Sequence, residues 1–464
     1  MQNEECRMQK SDTKPRPSVA FPFLHFCILH SQFCILLILG VLCSASVLHA
    51  EERFPPPEFR TTYQIPTDHY PAPPWAGWPA VDTAVLAIAL SVAAYLVFKK
   101  RSRAGVFALT AFSLAYFGFF RQGCVCPIGS IQNVAAAMFD PTQPLPWMVG
   151  AFFVLPLAFS LFFGRVFCSG VCPLGAIQDL VLWRPIHVPA WVDASLGLFA
   201  YAYLALSIIY AATGGSFLIC QYDPFVPLFR LNGPGHMLLL GGMLLALGMF
   251  IGRPYCRFFC PYGVLLRLFS RLSWKRVTIT PKECIDCRLC EDACPFGAIR
   301  RPTHHVRPQP RSTGRATLIA MLILLPVMTA GLATLGYAGG STLARLHRDD
   351  QLARDVKLKL DNYSTKSFYD KGGEPDALYA HVINIRHRMA VGAAAGGAFL
   401  GLIIGGRLVA YAMRRRKTEY TADRGMCVAC ARCFNSCPVE LKRKGLILEL
   451  PQLPPAVVNG NPGG

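Results

Sequence analysis

The sequence predicts a mainly α protein, a polytopic transmembrane helix bundle of about seven spans preceded by a signal segment. Three observations predict it. Of the 464 residues, 53% are hydrophobic and 16% are charged, well short of the roughly 25% charged residues of a soluble domain. Several apolar runs approach the roughly 20 residues that cross a bilayer. Lys and Arg gather beside those runs, so the net charge of +19 marks membrane orientation and not nucleic-acid binding.

The elements follow in order. Residues 1–50 have the layout of a signal peptide or N-terminal anchor: Lys10, Lys14 and Arg16 precede FCILLILGVLCSASVLHA, with Ala50 as a cleavage edge. Residues 51–80, with Pro55, Pro56 and Pro57, read as a Pro-rich outer linker. Trp75 and Trp78 then suit a membrane-interface belt. Spans are expected at 81–98, 104–120, 145–163, 192–213, 236–251, 316–336 and 389–412. The first five belong to a membrane domain over 81–275. The last two form a hairpin over 316–412 whose outer loop, 337–388, contains the helix-periodic run DDQLARDVKLKLDNY. Lys99, Lys100, Arg101 and Arg103, the basic stretch from Arg253 to Arg315, and Arg414, Arg415, Arg416 and Lys417 all fall on one side under this count. The positive-inside rule makes that side cytoplasmic. Arg407, near the end of the last span, is expected to snorkel to the cytoplasmic surface.

The 19 cysteines sort into groups. Cys6, Cys27, Cys34 and Cys43 lie in the leader and read as small hydrophobes. Eight form two matched runs, ECIDCRLCEDACPFGA and MCVACARCFNSCPVEL. Each run is C-x2-C-x2-C-x3-C-P, the ligand spacing of bacterial two-cluster ferredoxins. Three closely spaced thiolates wrap one cube and the fourth reaches the other. One [4Fe–4S] cluster therefore takes Cys284, Cys287, Cys290 and Cys437; the second takes Cys427, Cys430, Cys433 and Cys294. The halves of this split ferredoxin module are expected at 276–302 and 418–445, with a tail over 446–464. Two spans separate them, and two spans return the chain to its starting side. Zinc is the alternative occupant, and disulfides are disfavoured in a reducing compartment.

Seven cysteines remain. Cys168 and Cys172 in FCSGVCPLGAIQD, and Cys256 and Cys260 in YCRFFCPYGVLL, form two C-x3-C-P turns that each follow a span. Proline suits the first helical position. The cysteine before it lies at a helix N-terminus, where partial positive charge favours thiolate. Two such turns together make a four-thiolate site suited to iron, an iron–sulfur cluster or zinc; redox-labile disulfides are the alternative. Cys124, Cys126 and Cys220 fall at the opposite, outer face by the span count. They either contribute to a second centre or include a disulfide pair. The likeness of CPIGSIQN to CPLGAIQD points to duplicated helix-turn units. His187 and His236 stand near span ends and read as polar anchors. No haem-attachment C-x-x-C-H, Walker loop, Rossmann glycine run or Ser/His/Asp set is present.

The two C-x3-C-P turns between spans, followed by the split ferredoxin pair, resemble the NapH/NosR-type membrane polyferredoxin family over roughly residues 80 to 440. The resemblance implies a multi-pass protein of the bacterial inner membrane with its ferredoxin module in the cytoplasm. It would relay electrons between the quinone pool or a flavin-binding partner and a terminal reductase or other acceptor protein. Larger NosR-type members carry an outer flavin-binding domain ahead of the spans, and residues 51–80 are too short to fold as one. Two other classes compete. One is a membrane ferredoxin-type copper reductase or assembly factor working through Cys124, Cys126 or Cys220; the other is a redox-sensing regulatory protein.

Overall fold

The computed structural model describes residues 77–123, 126–141, 143–279, 284–303, 310–413 and 419–449. The expected signal segment, most of the linker with Trp75, the four leader cysteines, Cys124, the basic run Arg414–Lys417 and residues 450–464 of the tail lie outside the described residues.

The chain is built almost wholly of helices. Helix α1, Trp78–Phe98, runs to the basic turn, where Ser102 caps α2, Arg103–Ser113, by accepting from the Gly105 amide at 3.2 Å. The same helix continues as a π-helical stretch, Leu114–Phe120. Asp82 of α1 is fully buried; Tyr116 and Arg121 donate to its carboxylate at 2.9 and 2.6 Å, so the buried charge is paired. Next come α3, Pro127–Phe139, α4, Trp147–Phe163, the short α5, Val166–Gly170, and α6, Pro173–Leu180. Helix α7, Ala190–Ala212, leads to α8, Leu218–Gln221, and α9, Phe225–Arg230. Helix α10, Gly235–Gly248, then precedes α11, Pro254–Phe258, and α12, Pro261–Arg271.

Among the described residues five helices are long and apolar enough to cross a membrane: Trp78–Phe98, Arg103–Phe120, Ala190–Ala212, Ser312–Ala344 and Pro375–Ala412. They cover five of the seven expected spans. The other two, 145–163 and 236–251, form shorter apolar helices of 17 and 14 residues. The reason is local. Pro146 and Gly164, the latter with φ +68°, bracket α4, while Pro234 and Pro254 bracket α10. Packing ties the short helices in: Ser160 of α4 donates to the Leu266 carbonyl at 3.1 Å, and Tyr262 of α12 donates to the Phe153 carbonyl at 2.8 Å. One apolar core, including Leu90, Phe117, Leu174, Tyr201 and Tyr262, continues without a break into the ferredoxin halves at Phe296 and Phe434.

After α13, Leu289–Asp292, and β1, Ile299–Arg300, the final hairpin begins. Its arms are α14, Arg311–Ala344, and α17, Pro375–Ala412, which are longer than the expected spans. The outer insert is accordingly 345–374 rather than 337–388. The periodic run forms α15, Arg348–Lys357, followed by α16, Tyr363–Asp370. Strand β2, Thr421–Ala422, and helices α18, Arg432–Asn435, and α19, Pro438–Arg443, complete the chain. Arg407 donates to the Ala194 carbonyl at 2.7 Å and lies over the Tyr201 ring, tying α17 to α7.

The arms of the hairpin meet through glycine. An added Cβ at Gly401 would stand 2.6 Å from Cα of Thr329, and Gly336, Gly340 and Gly397 likewise abut the facing backbone. Gly397, Gly401 and Gly405 repeat at four-residue spacing, the small-residue stripe that lets lipid-embedded helices approach closely. Exposed Ile319, Ile323, Val327 and Leu335 cover the outside of α14. Gly401→Leu is expected to cost roughly 1–3 kcal/mol by overpacking. The measurement is thermal unfolding in detergent together with iron retained per chain, and both should fall.

Candidate metal centres

The ferredoxin halves are joined by backbone pairing. Strands β1 and β2 are antiparallel, with Ile299 opposite Ala422 and Arg300 opposite Thr421. The Asp423 amide donates to the Ala298 carbonyl at 2.7 Å, and Arg300 pairs with Asp423 at 3.1 Å. The two cysteine runs then fold alike. Residues two and four beyond each first cysteine, Asp286 and Arg288 in one run and Ala429 and Ala431 in the other, all have φ between 54° and 62°. Non-glycine residues enter this left-handed region rarely, and such turns aim successive N–H groups into an anion-binding nest, as at many Fe–S sites. The amides of Leu289, Ala429 and Arg432 accordingly donate to Cys287, Cys427 and Cys430.

The sulfurs fall into two neighbourhoods. Cys284 and Cys437 act electrostatically on Cys287, and these three on Cys290. Cys294 acts on Cys427 and Cys430, and Cys427, Cys430 and Cys294 on Cys433. Each neighbourhood draws on both cysteine runs, and Cys290 is also a neighbour of Cys433, so the two adjoin. Burial, with neighbouring thiols acting the same way, pushes Cys290 and Cys427 up to about 12. Sulfurs gathered this way become thiolates when a bound cation offsets their charge. Among the described residues no three His, Cys, Asp or Glu side chains are placed to hold a single ion. Four cysteines in each set is the ligand number of a [4Fe–4S] cube.

The C-x3-C-P turns are built on one plan. Cys172 and Cys260 are the N-caps of α6 and α12, in extended conformation, with Pro173 and Pro261 opening each helix. Cys168 in α5 and Cys256 in α11 precede them by one turn. Cys256, Cys168 and Cys260 all act on the buried Cys172 thiol. Donors reach three of the sulfurs: Arg165 Nη2 to Cys168 at 3.7 Å, Gln178 Nε2 to Cys256 at 3.4 Å and the Gly263 amide to Cys260 at 3.3 Å. Burial and the Cys168 thiol raise Cys256 to about 11, against the pull of Arg253. Donors at three sulfurs and a cationic neighbour fit thiolate ligation.

Cys126 corrects the expected separation between the outer cysteines and the C-x3-C-P turns. It is the N-cap of α3, with Pro127 at the helix start, and it is an electrostatic neighbour of both Cys172 and Cys260. It does not stand apart from the C-x3-C-P cysteines across the membrane. The turns opening α3, α6 and α12 converge because the chain re-enters the bundle at each. Cys220 of α8 follows the same route, its sulfur 3.3 Å from where a Cβ at Gly129 would sit. Burial raises Asp223, beside Cys126, to about 6 in spite of amide donors from Phe225 and Val226. His187 and His236 are exposed.

Residues not singled out by motif join the two sets of turns. Asp179 of α6 is fully buried and pairs with Arg103 at 2.7 Å, Arg432 at 3.0 Å and Arg253 at 3.5 Å. Burial alone would raise its pKa, but these three guanidiniums hold it at about 2. Arg103 also donates to the Cys430 carbonyl, Arg165 to the Gly425 carbonyl, and Arg101 to Glu440. A sequence signal for two of them exists. GRVFCSGVCP and GRPYCRFFCP share a Gly-Arg three residues before the first cysteine, so Arg165 and Arg253 hold equivalent places.

A 4Fe-4S binding domain model matches residues 144–191 and 234–279, windows that contain both C-x3-C-P turns. A second 4Fe-4S binding domain model matches 277–300, the first ferredoxin run. The chain is 30% identical over 193 residues to an uncharacterised protein of Methanocaldococcus jannaschii, covering 39% of this chain and 77% of the relative. It is 29% identical over 188 residues to YccM of Escherichia coli, which is named for electron transport, covering 36% of this chain and 52% of the relative. To the regulatory protein NosR of Stutzerimonas stutzeri it is 25% identical over 227 residues, covering 45% and 30%. The chain thus spans about half or less of the last two. No solved structure matches it.

Two outcomes follow from the geometry. Cys437→Ser should deplete the centre held by Cys284, Cys287 and Cys290 and spare the one beside Cys427, even though residue 437 belongs to the second run; EPR with iron analysis reads this. Asp179→Asn should loosen the ferredoxin halves by about 3 kcal/mol, the cost of breaking a buried ion pair, seen as faster proteolysis of 419–449. The folded pKa of Asp179 lies below its unfolded value of about 3.9. Its contribution is therefore complete above pH 4 and is lost as pH falls through about 2.

Proposed function

Since the chain belongs to the NapH/NosR-type membrane polyferredoxin family, and is thus a membrane 4Fe–4S electron-transport protein working with redox partner proteins, we propose that it relays single electrons between quinol or a flavoprotein and an acceptor on the other side of the bacterial inner membrane. The observation that carries the proposal is the convergence of three cysteine sets: the two crossed ferredoxin sets, and the C-x3-C-P set with Cys126 beside it. Iron–sulfur clusters, once bound, supply one-electron chemistry at potentials set by their surroundings. The chain supplies the rest. Cys284, Cys287, Cys290 and Cys437 hold one [4Fe–4S] cluster; Cys427, Cys430, Cys433 and Cys294 hold the second. Cys168, Cys172, Cys256 and Cys260 hold a third centre of iron or iron and sulfide. Asp179 and its arginines keep the ferredoxin halves seated on the C-x3-C-P turns.

Orientation has support of its own. Arg101 and Arg103 belong to the basic turn that the positive-inside rule makes cytoplasmic, and both touch the second ferredoxin half. The ferredoxin module is therefore assigned to the cytoplasm. Cys126, beside Cys172 and Cys260, and Cys220, beside Cys126, adjoin the same site. That NosR is named a regulatory protein supports a second reading, a redox sensor. Clusters that cycle with no quinol or flavin donor exchanging electrons would favour it.

Anaerobically purified protein is expected to contain more than the about eight irons that two cubes require, by iron and sulfide analysis with EPR. Cys168→Ser is expected to abolish electron passage while leaving the ferredoxin signals in place. Full turnover in that variant would remove the C-x3-C-P site from the path.

A further inference from the structure

Between the C-x3-C-P turns and the second ferredoxin half lies a small chamber of about 30 Å³. Arg165, Arg253, Arg257 and Arg267 line it, together with Cys168 and Cys256, and no carboxylate does. Arg165, Arg253 and Arg257 are at most 8% exposed. Counter-charge is scarce behind the wall. Asp179 is divided among Arg253, Arg103 and Arg432, and Asp193 faces Arg257. Arg165 bonds a carbonyl and the Cys168 sulfur. Arg267 bonds the Tyr201 hydroxyl, while Asp193 acts on it as a weaker influence than Arg165. Arg165, Arg253 and Arg267 each leave a buried Nε without a hydrogen-bond partner. Burial and the neighbouring Arg165 pull the Arg267 pKa down.

An interior so rich in cations is costly unless negative charge sits among them. Here the groups that face the chamber and can take up negative charge are the sulfurs of Cys168 and Cys256, as thiolates of a bound metal centre. Adding an electron to a thiolate-ligated centre raises its negative charge by one, and nearby cations favour that form. The duplicated Gly-Arg gives each half of the site its own cation, Arg165 ahead of Cys168 and Arg253 ahead of Cys256.

Resting on the relay reading above, we infer that Arg165, Arg253, Arg257 and Arg267 form a cationic chamber that stabilises the added electron at the C-x3-C-P centre, making that centre the electron-accepting end of the step from the ferredoxin module. In that step one electron leaves a reduced ferredoxin cluster, which is oxidised by one unit. The C-x3-C-P centre is reduced by one unit, and no bond or proton changes hands.

The test is an EPR redox titration of the full chain, purified without oxygen, with iron counted in every sample. Arg267→Gln should lower the reduced-to-oxidised ratio of the C-x3-C-P centre about tenfold at a fixed potential, as loss of a nearby buried charge would. That is a fall of about 59 mV for a one-electron couple. Arg267→Lys should stay close to the parent protein, and the ferredoxin midpoints should hardly move. Arg165→Gln repeats the test if Arg267→Gln fails to fold; because Arg165 also acts on Cys427, it should lower the C-x3-C-P midpoint and shift that of the Cys427 cluster too. Glutamine variants that keep their iron and titrate like the parent would overturn the chamber's role and leave the relay intact. Parent protein with no iron beyond about eight would overturn the third centre itself, and this inference with it.

Discussion

Everything at the ferredoxin end depends on the chain coming back. The cysteine runs at 284–294 and 427–437 are separated by α14, an outer insert and α17, and they share ligands only if both arms of that hairpin lie side by side. Glycine makes that possible. Gly336, Gly340, Gly397 and Gly401 bring the arms to backbone contact, where van der Waals packing replaces the hydrophobic drive that lipid removes. Four backbone-level contacts along two long helices set the register with little freedom to slide. Strands β1 and β2 then need just two residue pairs to finish the alignment. A two-residue sheet has no stability of its own; it is the consequence of the hairpin.

The same local device serves both kinds of centre. Cys126, Cys172, Cys260 and Cys437 are each an N-cap with extended backbone, followed by a proline that opens the helix. Proline removes one amide that would otherwise lack a partner, and the remaining first-turn amides point toward the sulfur. At Cys260 that contact is present, from the Gly263 amide at 3.3 Å. Glycine at this third place also lets the turn pack tightly: an added Cβ at Gly263 would meet the Cys256 carbonyl at 3.3 Å. Cysteine, proline and glycine are therefore a single unit of local structure at Cys126, Cys172 and Cys260, while Cys437 keeps the cysteine and proline with Glu440 in the third place.

What was legible in the sequence was what spacing decides. The crossed cysteine sets follow from C-x2-C-x2-C-x3-C-P because the fourth ligand of each run is too far along the chain to close on its own three. Among the described residues the apolar runs located the long apolar helices, but not their lengths: Pro and Gly at the ends of α4 and α10 keep those two short, while α14 and α17 outrun their apolar windows. Depth was not legible. Counting spans assigns Cys126 to a face, yet a chain that turns back into the bundle after Phe120 carries it to Cys172 and Cys260. Partnership was not legible either. Asp179 and Asp82 look like ordinary acids in the chain, and their roles appear when distant arginines close on them.

The charge of the protein takes on a second meaning from these contacts. Part of the +19 sorts the spans, as the exposed Lys99 and Lys100 do. Another part is inside. Arg165, Arg253 and Arg257 are buried, and a membrane-orienting role cannot explain cations that water does not reach. The formal sum treats every cysteine as neutral, whereas a metal centre requires its sulfurs as thiolates. Cations that look unmatched in the sequence face sulfur in the fold: Arg165 reaches Cys168 directly, and Arg253 acts on Cys256. The excess of arginine and the excess of cysteine are thus two sides of one balance, struck at the seam where the ferredoxin halves rest on the C-x3-C-P turns.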